Sequence, residues 1–535
     1  MLGSAAARSG DVSGRAIPDD GASDQSFALI KSWLQECNRN HPRCKLKSSD
    51  QLPVTEYHPS RLLDLGLPAS EADYCALVRG SQCVGPYAAL SYCWGPSQTL
   101  QTRKSNVADH ARCIKLQMMP LTLKQAVSVV RRLGLRFLWV DALCIVQDDP
   151  QEWEQEAPKM GDIYRNASFT VCATGSTSSA GGLFLPREGL PAPPIKLPYP
   201  HSLGDSASEE DDHFFLTPQR YSMRNCVEKS AWNTRGWVFQ ERIFSRRMIH
   251  FSKGQTFFEC KQHSRGEDGH NFPSWVYDID NPSENEAWKW CHLIEQYSTR
   301  NLTVLQDKLF AVQGLAGHMA ARTQKAYCMG LWVEDLGFQV LWYANNNQTA
   351  KPSKPVAPSW SWASLQCQIL WESWILEAKP CSKLSVSSKY HGVRSISANL
   401  QFAPLVVNGP VISLQRSRDP FGNTSDAELT TSNPYQIDVK AHPRAYILCT
   451  DPGSAASSER VGWCVYDDKP ENHDSCTAVV ISENVVDEED NKKSYNVLIL
   501  CRSSLDPSKY QRLGIGEIVK IDCVKNAREE TLTIL

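Results

Sequence analysis

From residue 87 to residue 141 the chain reads strand, helix, strand, with glycine or proline closing the first two elements. Residues 87–92 are an apolar run of strand type, stopped by Trp94-Gly95-Pro96, where glycine and proline turn the chain. Pro120 opens a helical segment that continues through Val130 to Leu133, and Gly134 supplies its C-terminal stop. Residues 136–140 form the next strand. This order predicts an α/β architecture, and in open α/β sheets ligands sit beyond the carboxyl ends of the strands. Asp141 falls at such an end.

The flanking sequence extends the pattern. Phe27, Leu29, Ile30, Trp33 and Leu34 recur at helical spacing before Cys37. Residues 152–164 read as a helical region that Pro158 kinks or splits, 168–173 as a strand, 232–244 as a helix, and 247–251 and 255–260 as strands returning to the sheet. Residues 285–345 are mainly helical in pattern, and after Ala363 the texture changes to short β-type runs separated by Pro, Gly, Asn and Asp. Residues 1–25, rich in Gly, Ala, Ser and Asp without a hydrophobic period, read as a disordered leader, and the acidic residues 205–212 as part of an exposed insertion. The expected boundaries are a leader at 1–25, a helical lead-in at 26–85, a core domain at 86–260, a helical continuation at 261–365 and a β-rich C-terminal domain at 366–535.

Composition narrows the function classes. Hydrophobic residues at 41% and charged residues at 21% are ordinary for a globular protein, and a net charge of -3 offers no basic footprint for nucleic acid. The apolar stretch 127–146 is broken by Arg131, Arg132, Arg136 and Asp141, so no run reaches the roughly 18–20 residues of a membrane span. The N-terminus lacks an apolar segment followed by a cleavage site, and a cytoplasmic location is expected. Many of the 19 cysteines are scattered singly along apolar segments, which predicts reduced core residues, not a disulfide framework. Cys37, His41 and Cys44 form a suggestive group, but it lacks close cysteine pairing and the fourth ligand of a zinc site, so no metal is expected.

Three apolar runs end in polar groups that are costly to bury alone: Tyr92, Trp94 and Gly95; then Asp141 and Cys144; then Arg235, Gln240 and Glu241. Such a pattern suggests one shared pocket. Asp141, with apolar neighbours on both sides, titrates high unless a cation pairs with it, and Arg235 is the candidate partner, either in a structural ion pair or in a ligand pocket. Gln240 and Glu241 would lie ~140° and ~120° from Arg235 on one ideal helix, so spacing alone does not bring them together. Cys144 as a nucleophile requires a base and an electropositive setting; a buried core thiol is the competing reading. Tyr92, Trp94, Trp139 and Trp237 offer rings that could stack on a nucleobase or a nicotinamide, although packing is tryptophan's usual role. Standard hydrolase and Walker-type nucleotide motifs are absent from the sequence.

Taken together, Tyr87-Ala-Ala-Leu-Ser-Tyr-Cys-Trp-Gly95, Trp139-Val-Asp-Ala-Leu-Cys-Ile-Val-Gln147 and Arg235-Gly-Trp-Val-Phe-Gln-Glu241 resemble the blocks of the fungal heterokaryon incompatibility (HET) domain family. Arg61-Leu-Leu-Asp64, Met160-Gly-Asp-Ile-Tyr-Arg-Asn-Ala167, Asp307-Lys-Leu-Phe310 and Pro358-Ser-Trp-Ser-Trp-Ala363 extend the resemblance over most of residues 30–365. It implies a parallel α/β sheet similar to that of the Toll/interleukin-receptor (TIR) domain, and a role in fungal non-self recognition and regulated cell death. Some TIR-like domains cleave the nicotinamide–ribose bond of NAD, which would make NAD a substrate, not a resident cofactor. Glu241 is then the first catalytic carboxylate and Asp141 the second, with Tyr92, Trp94, Gly95, Arg235 and Gln240 binding the ligand. Self-association or an incompatibility partner protein is the implied partnership. A HET-like enzyme of small-molecule metabolism and a non-catalytic interaction module are the alternatives.

Overall fold

The computed structural model describes residues 14–15, 17–45, 57–66, 72–96, 100–187, 195–198, 213–216, 221–272, 279–280, 285–345, 351–352, 354–392, 403–416, 445–449, 460–467, 475–487, 492–519 and 521–535. Most of the expected leader and the acidic run at 205–212 lie outside these residues. The chain forms two compact units, Met1–Asp280 and Asn281–Leu535. The helical stretch expected at 261–365 straddles that division.

The first unit holds helix α1 (Asp24–Asn40), strands β1 (Arg61–Asp64), β2 (Tyr74–Arg79), β3 (Tyr87–Ser91) and β4 (Ile114–Lys115), helix α2 (Leu121–Arg132) and strand β5 (Phe137–Trp139). Helices α3 (Pro150–Glu156) and α4 (Met160–Asn166), strand β6 (Thr170–Cys172), helix α5 (Gly236–Phe244) and strands β7 (Arg247–Phe251), β8 (Thr256–Cys260), β9 (Ser264–Gly266) and β10 (Asn271–Phe272) follow. The sheet order is β10-β9-β8-β7-β6-β3-β5-β1-β2-β4. Only its middle is parallel: β3 pairs with β5 and β6, and β6 with β7. The outer strands are antiparallel, so the expected parallel sheet is a mixed one. The reason is local, because tight connections such as residues 252–255 between β7 and β8 can only reverse the chain.

In chain order the parallel strands stand second, first, third, fourth across the sheet. The direction of winding therefore reverses between β3 and β6, and the carboxyl ends at such a reversal are where α/β sheets of this kind place ligands. Every residue of β3 is buried, as expected of a strand covered on both faces and therefore apolar without alternation. Helix α2 makes the first crossover and buries Leu123, Ala126, Val127 and Val130, spaced at three and four residues along one stripe.

Pro158 does split the helical region 152–164: a 3-10 turn, Ala157–Lys159, separates α3 from α4. Helix α4 then packs closely on α5, since a Cβ at Gly161 would lie 2.8 Å from Phe244 Cε2. The expected helix at 232–244 begins only at Gly236, and Arg235 precedes it with extended backbone, φ -78 and ψ 136.

In the second unit, helices such as Glu286–Ser298 and Gln313–Thr323 precede a largely antiparallel sheet whose long strands include Leu405–Arg416, Ser475–Asp487 and Lys492–Arg502. The block Pro358–Ala363 serves packing: Trp362 Nε1 and Trp290 Nε1 both donate to Gly330 O at 2.8 Å, and Trp360 Nε1 donates to Ala403 O at 2.9 Å. No helix among the described residues is long and apolar enough to cross a membrane.

Candidate functional site

The carboxyl ends of β3 and β5 and the start of α5 bring the three blocks together. Asp141 opens a short helical turn, Asp141–Cys144, directly after β5. Its Oδ1 accepts from the Ala142 amide at 2.7 Å and its Oδ2 from Trp94 Nε1 at 2.7 Å. The Tyr92 hydroxyl donates to the same carboxylate. Glu241, on α5, accepts from the Ser91 hydroxyl at 2.5 Å, and that hydroxyl oxygen accepts from Trp232 Nε1 at 2.7 Å. The Tyr164 hydroxyl of α4 donates to Leu90 O at 3.1 Å and lies against Glu241.

Arg235 joins these groups, donating to the Tyr92 carbonyl and facing both carboxylates. Helical spacing argued against Arg235 and Glu241 sharing a face. The objection falls because Arg235 stands before the helix, in extended backbone, and is free to turn toward it. Two acids and one guanidinium thus share one environment. Burial pushes the Glu241 carboxyl above its ordinary pKa, against the pull of Arg235 and Ser91, and Asp141 adds to the upward push. Burial likewise raises Asp141 against the pull of Arg235 and Trp94. Burial opposes the Arg235 charge, but Glu241 first, then Cys93 and Asp141, hold its pKa above the usual value.

The site has a buried floor and an accessible rim. Glu241 is 4% exposed, Tyr92 2% and Trp232 0%, whereas Asp141, Arg235, Trp94 and Trp237 are half-buried. Trp139 is core, packed edge-on to Tyr164 with ring centroids 5.6 Å apart. Of the four aromatic residues singled out, only Trp94 and Trp237 present accessible surface. Gly95 is exposed and serves the turn: its φ is +80, and a Cβ there would lie 2.5 Å from Ser178 Cβ. Gln240 is fully buried, and neither side-chain polar atom has a protein partner among the described residues. A buried amide in that state calls for water or a ligand. The Cys144 thiol accepts from the Val140 amide at 3.5 Å, and burial pushes its pKa up to about 12, opposite to what a nucleophile needs.

Beside the site lies a second charged network. Arg242 Nε and Nη2 donate to Glu259 at 2.9 and 2.8 Å, and Glu228 takes the other side of the guanidinium at 2.9 and 2.5 Å. His250 Nε2 is 3.1 Å from Glu259, and its ring stands edge-on to Trp232 at 5.2 Å. Burial works against the Glu259 charge, yet Arg242 and His250 outweigh it and hold the pKa at about 2. Sequence reasoning did not single out Ser91, Tyr164, Trp232 or this network. Ser91 and Tyr164 stand inside blocks that carry the family resemblance, which was the available signal; Arg242 and Glu259 meet only through the fold.

The family model for the heterokaryon incompatibility protein (HET) matches residues 87–241, the span from the start of β3 to Glu241. This chain carries a HET domain. Among curated proteins, heterokaryon incompatibility protein 6, OR allele, of Neurospora crassa is 32% identical over 125 residues, covering 22% of this chain and 18% of the relative. The match thus reaches less than a fifth of that relative's length. No solved structure matches this chain. Both acids and Arg235 fall within the HET domain, and its two boundaries are the first strand of the parallel core and the deeper of the two acids.

Proposed function

We propose that this protein acts in heterokaryon incompatibility, and that its HET domain cleaves the nicotinamide–ribose bond of NAD as part of a regulated cell-death response. The observation that carries the reading is the sharing of Arg235 by Glu241 and Asp141 at the carboxyl ends of the parallel strands. With both acids ionised the trio holds one negative charge in excess. The nicotinamide ring of NAD is cationic, and as the glycosidic bond breaks the positive charge moves onto the ribose in an oxocarbenium-like transition state. A carboxylate held by Ser91 and Tyr164 can stabilise that charge without reorganising. The bonding pair leaves with neutral nicotinamide, and water adds to the ribose carbon with loss of a proton. Glu241 is the first carboxylate of this reading and Asp141 the second, while half-buried Trp94, bonded to Asp141, offers its indole at the rim.

The strand order second, first, third, fourth is also that of flavodoxin-like sheets, and it supports the TIR-like reading of the domain. A non-catalytic interaction module is the second reading, favoured by the complete set of internal partners around Asp141. The test is nicotinamide release from NAD by full-length protein and by Glu241→Gln, across concentrations that permit self-association. Release by wild type that disappears in the variant is expected. Absence of release from folded wild type at every concentration would leave the interaction module as the better account.

A further inference from the structure

At the other end of the sheet, four buried side chains from separate parts of the first unit converge. Cys37 lies near the end of α1, His41 caps it, Cys44 ends the turn Pro42–Cys44, and Cys260 is the last residue of β8. Cys260 pairs in register with Arg247, the first residue of β7, which runs parallel to β6 and hence to β3. The cluster therefore sits at the amino ends of the parallel strands, away from Glu241 and Asp141 at their carboxyl ends.

The four donor atoms all lie within 4.8 Å of one another, and Cys260 Sγ is 3.5 Å from His41 Nδ1. In a tetrahedral zinc site with Zn–S of ~2.3 Å and Zn–N of ~2.0–2.1 Å, the S···N edge is about 3.6 Å and the S···S edge about 3.8 Å. The donors thus already stand close to the spacing of a coordination sphere. All three sulfur-bearing residues are 0% exposed and His41 is 5% exposed.

We propose that Cys37, His41, Cys44 and Cys260 bind one zinc(II) ion in a closed structural site. Three thiols and one imidazole make a soft donor set that suits zinc, and four protein ligands leave no open position for chemistry. On binding, the three thiols release their protons and the imidazole stays neutral, so the site carries one net negative charge. Buried Arg247 is placed to offset it, with Nε donating to Cys37 Sγ at 3.2 Å and Nη2 to Cys44 O at 3.2 Å. The neighbouring set of Glu36, His41 and His263 competes less well, because both Glu36 oxygens accept from Arg265, at 2.5 and 2.6 Å. The ion would clamp α1 to the edge of β7 and β8, adding to the packing of Trp33 on Phe258, whose ring centroids are 6.0 Å apart.

The experiment is zinc quantification on full-length protein purified without chelator, together with thiol counting and disulfide mapping. One zinc per chain is expected, lost in Cys260→Ser and His41→Asn and retained in Cys113→Ser, an exposed thiol elsewhere in the unit. Arg247→Gln should weaken zinc binding roughly 10–100-fold, as loss of an outer-shell partner does. Where a ligand variant fails to fold, exchange of wild type into cobalt(II) gives the same answer through thiolate-to-cobalt charge-transfer and tetrahedral visible bands. Reduced, folded wild type that holds no zinc and shows no such bands would overturn the site. A disulfide among the four residues, or zinc lost in Glu36→Gln but kept in Cys260→Ser, would overturn it equally.

Discussion

Glu241 shows how a single side chain can be both expensive to bury and useful. In the unfolded chain its carboxyl ionises near 4.5, whereas burial lets the folded state keep the proton to higher pH. The folded state then binds more protons than the unfolded one, so this residue's contribution to stability falls as pH rises from 4.5 through the folded pKa. Glu241→Gln should remove that slope: urea unfolding at pH 5 and pH 7 should give a smaller difference for the variant than for wild type. Equal differences would mean that Arg235 and Ser91 keep Glu241 ionised throughout. Gly95 makes a separate case at this scale, because a side chain there meets both a φ of +80 and Ser178. Gly95→Ala should cost about 1–3 kcal/mol in chemical denaturation. A variant as stable as wild type would show that the turn can relax.

Among the elements, α5 carries the most, since it supplies Glu241 and Gln240 to the site and Arg242 to the network beside it. Its start was misjudged from the sequence: residues 232–235 have helix-compatible composition, but the donation from Arg235 to the Tyr92 carbonyl holds that residue extended. The pair between Arg242 and Glu259 ties α5 to β8. Replacing Glu259 with Gln should cost about 3–5 kcal/mol, the usual result of leaving a buried guanidinium underpaired. The pH sign is opposite to that of Glu241. Glu259 titrates at about 2 when folded and near 4.5 when unfolded, so its stabilisation is present above 4.5 and is lost as pH falls toward 2. Acid titration followed by tryptophan fluorescence should therefore show a shallower loss of stability between pH 4.5 and pH 2 in the variant; an identical slope would argue against the pair.

Across the whole molecule, each unit is organised by a few buried cations. In the second unit Arg512 donates to Asp467 at 2.8 Å, lies 3.4 Å from the Trp342 ring centroid and also donates to the Val340 and Trp342 carbonyls, joining the helical part to the C-terminal sheet. Lys308, from the Asp307–Phe310 block, donates to Leu365 O, and burial pulls its pKa down to about 8. Between pH 8 and 10.5 the unfolded chain holds a proton that folded Lys308 has lost, so this residue's contribution to stability rises with pH. Buried thiols act in the opposite direction, which makes the difference between wild type and Lys308→Met the informative quantity. That difference should shift toward wild type by about 2 kcal/mol between pH 7.5 and pH 10, measured by urea unfolding; a constant difference would mean Lys308 titrates normally. Periodicity and punctuation are local properties, and from them alone the strand, helix, strand order, the split at Pro158, the β-rich C-terminal texture and the polar ends of the three blocks could be read. Pairings across the fold could not. Ser91 reaches Glu241 over 150 residues and His41 reaches Cys260 over 219, and the strand order together with the docking of α1 and α5 on the sheet decides that they meet. The carboxylates' shared arginine and the third sulfur beside Cys37, His41 and Cys44 exist only because the tertiary structure brings distant strand and helix ends together.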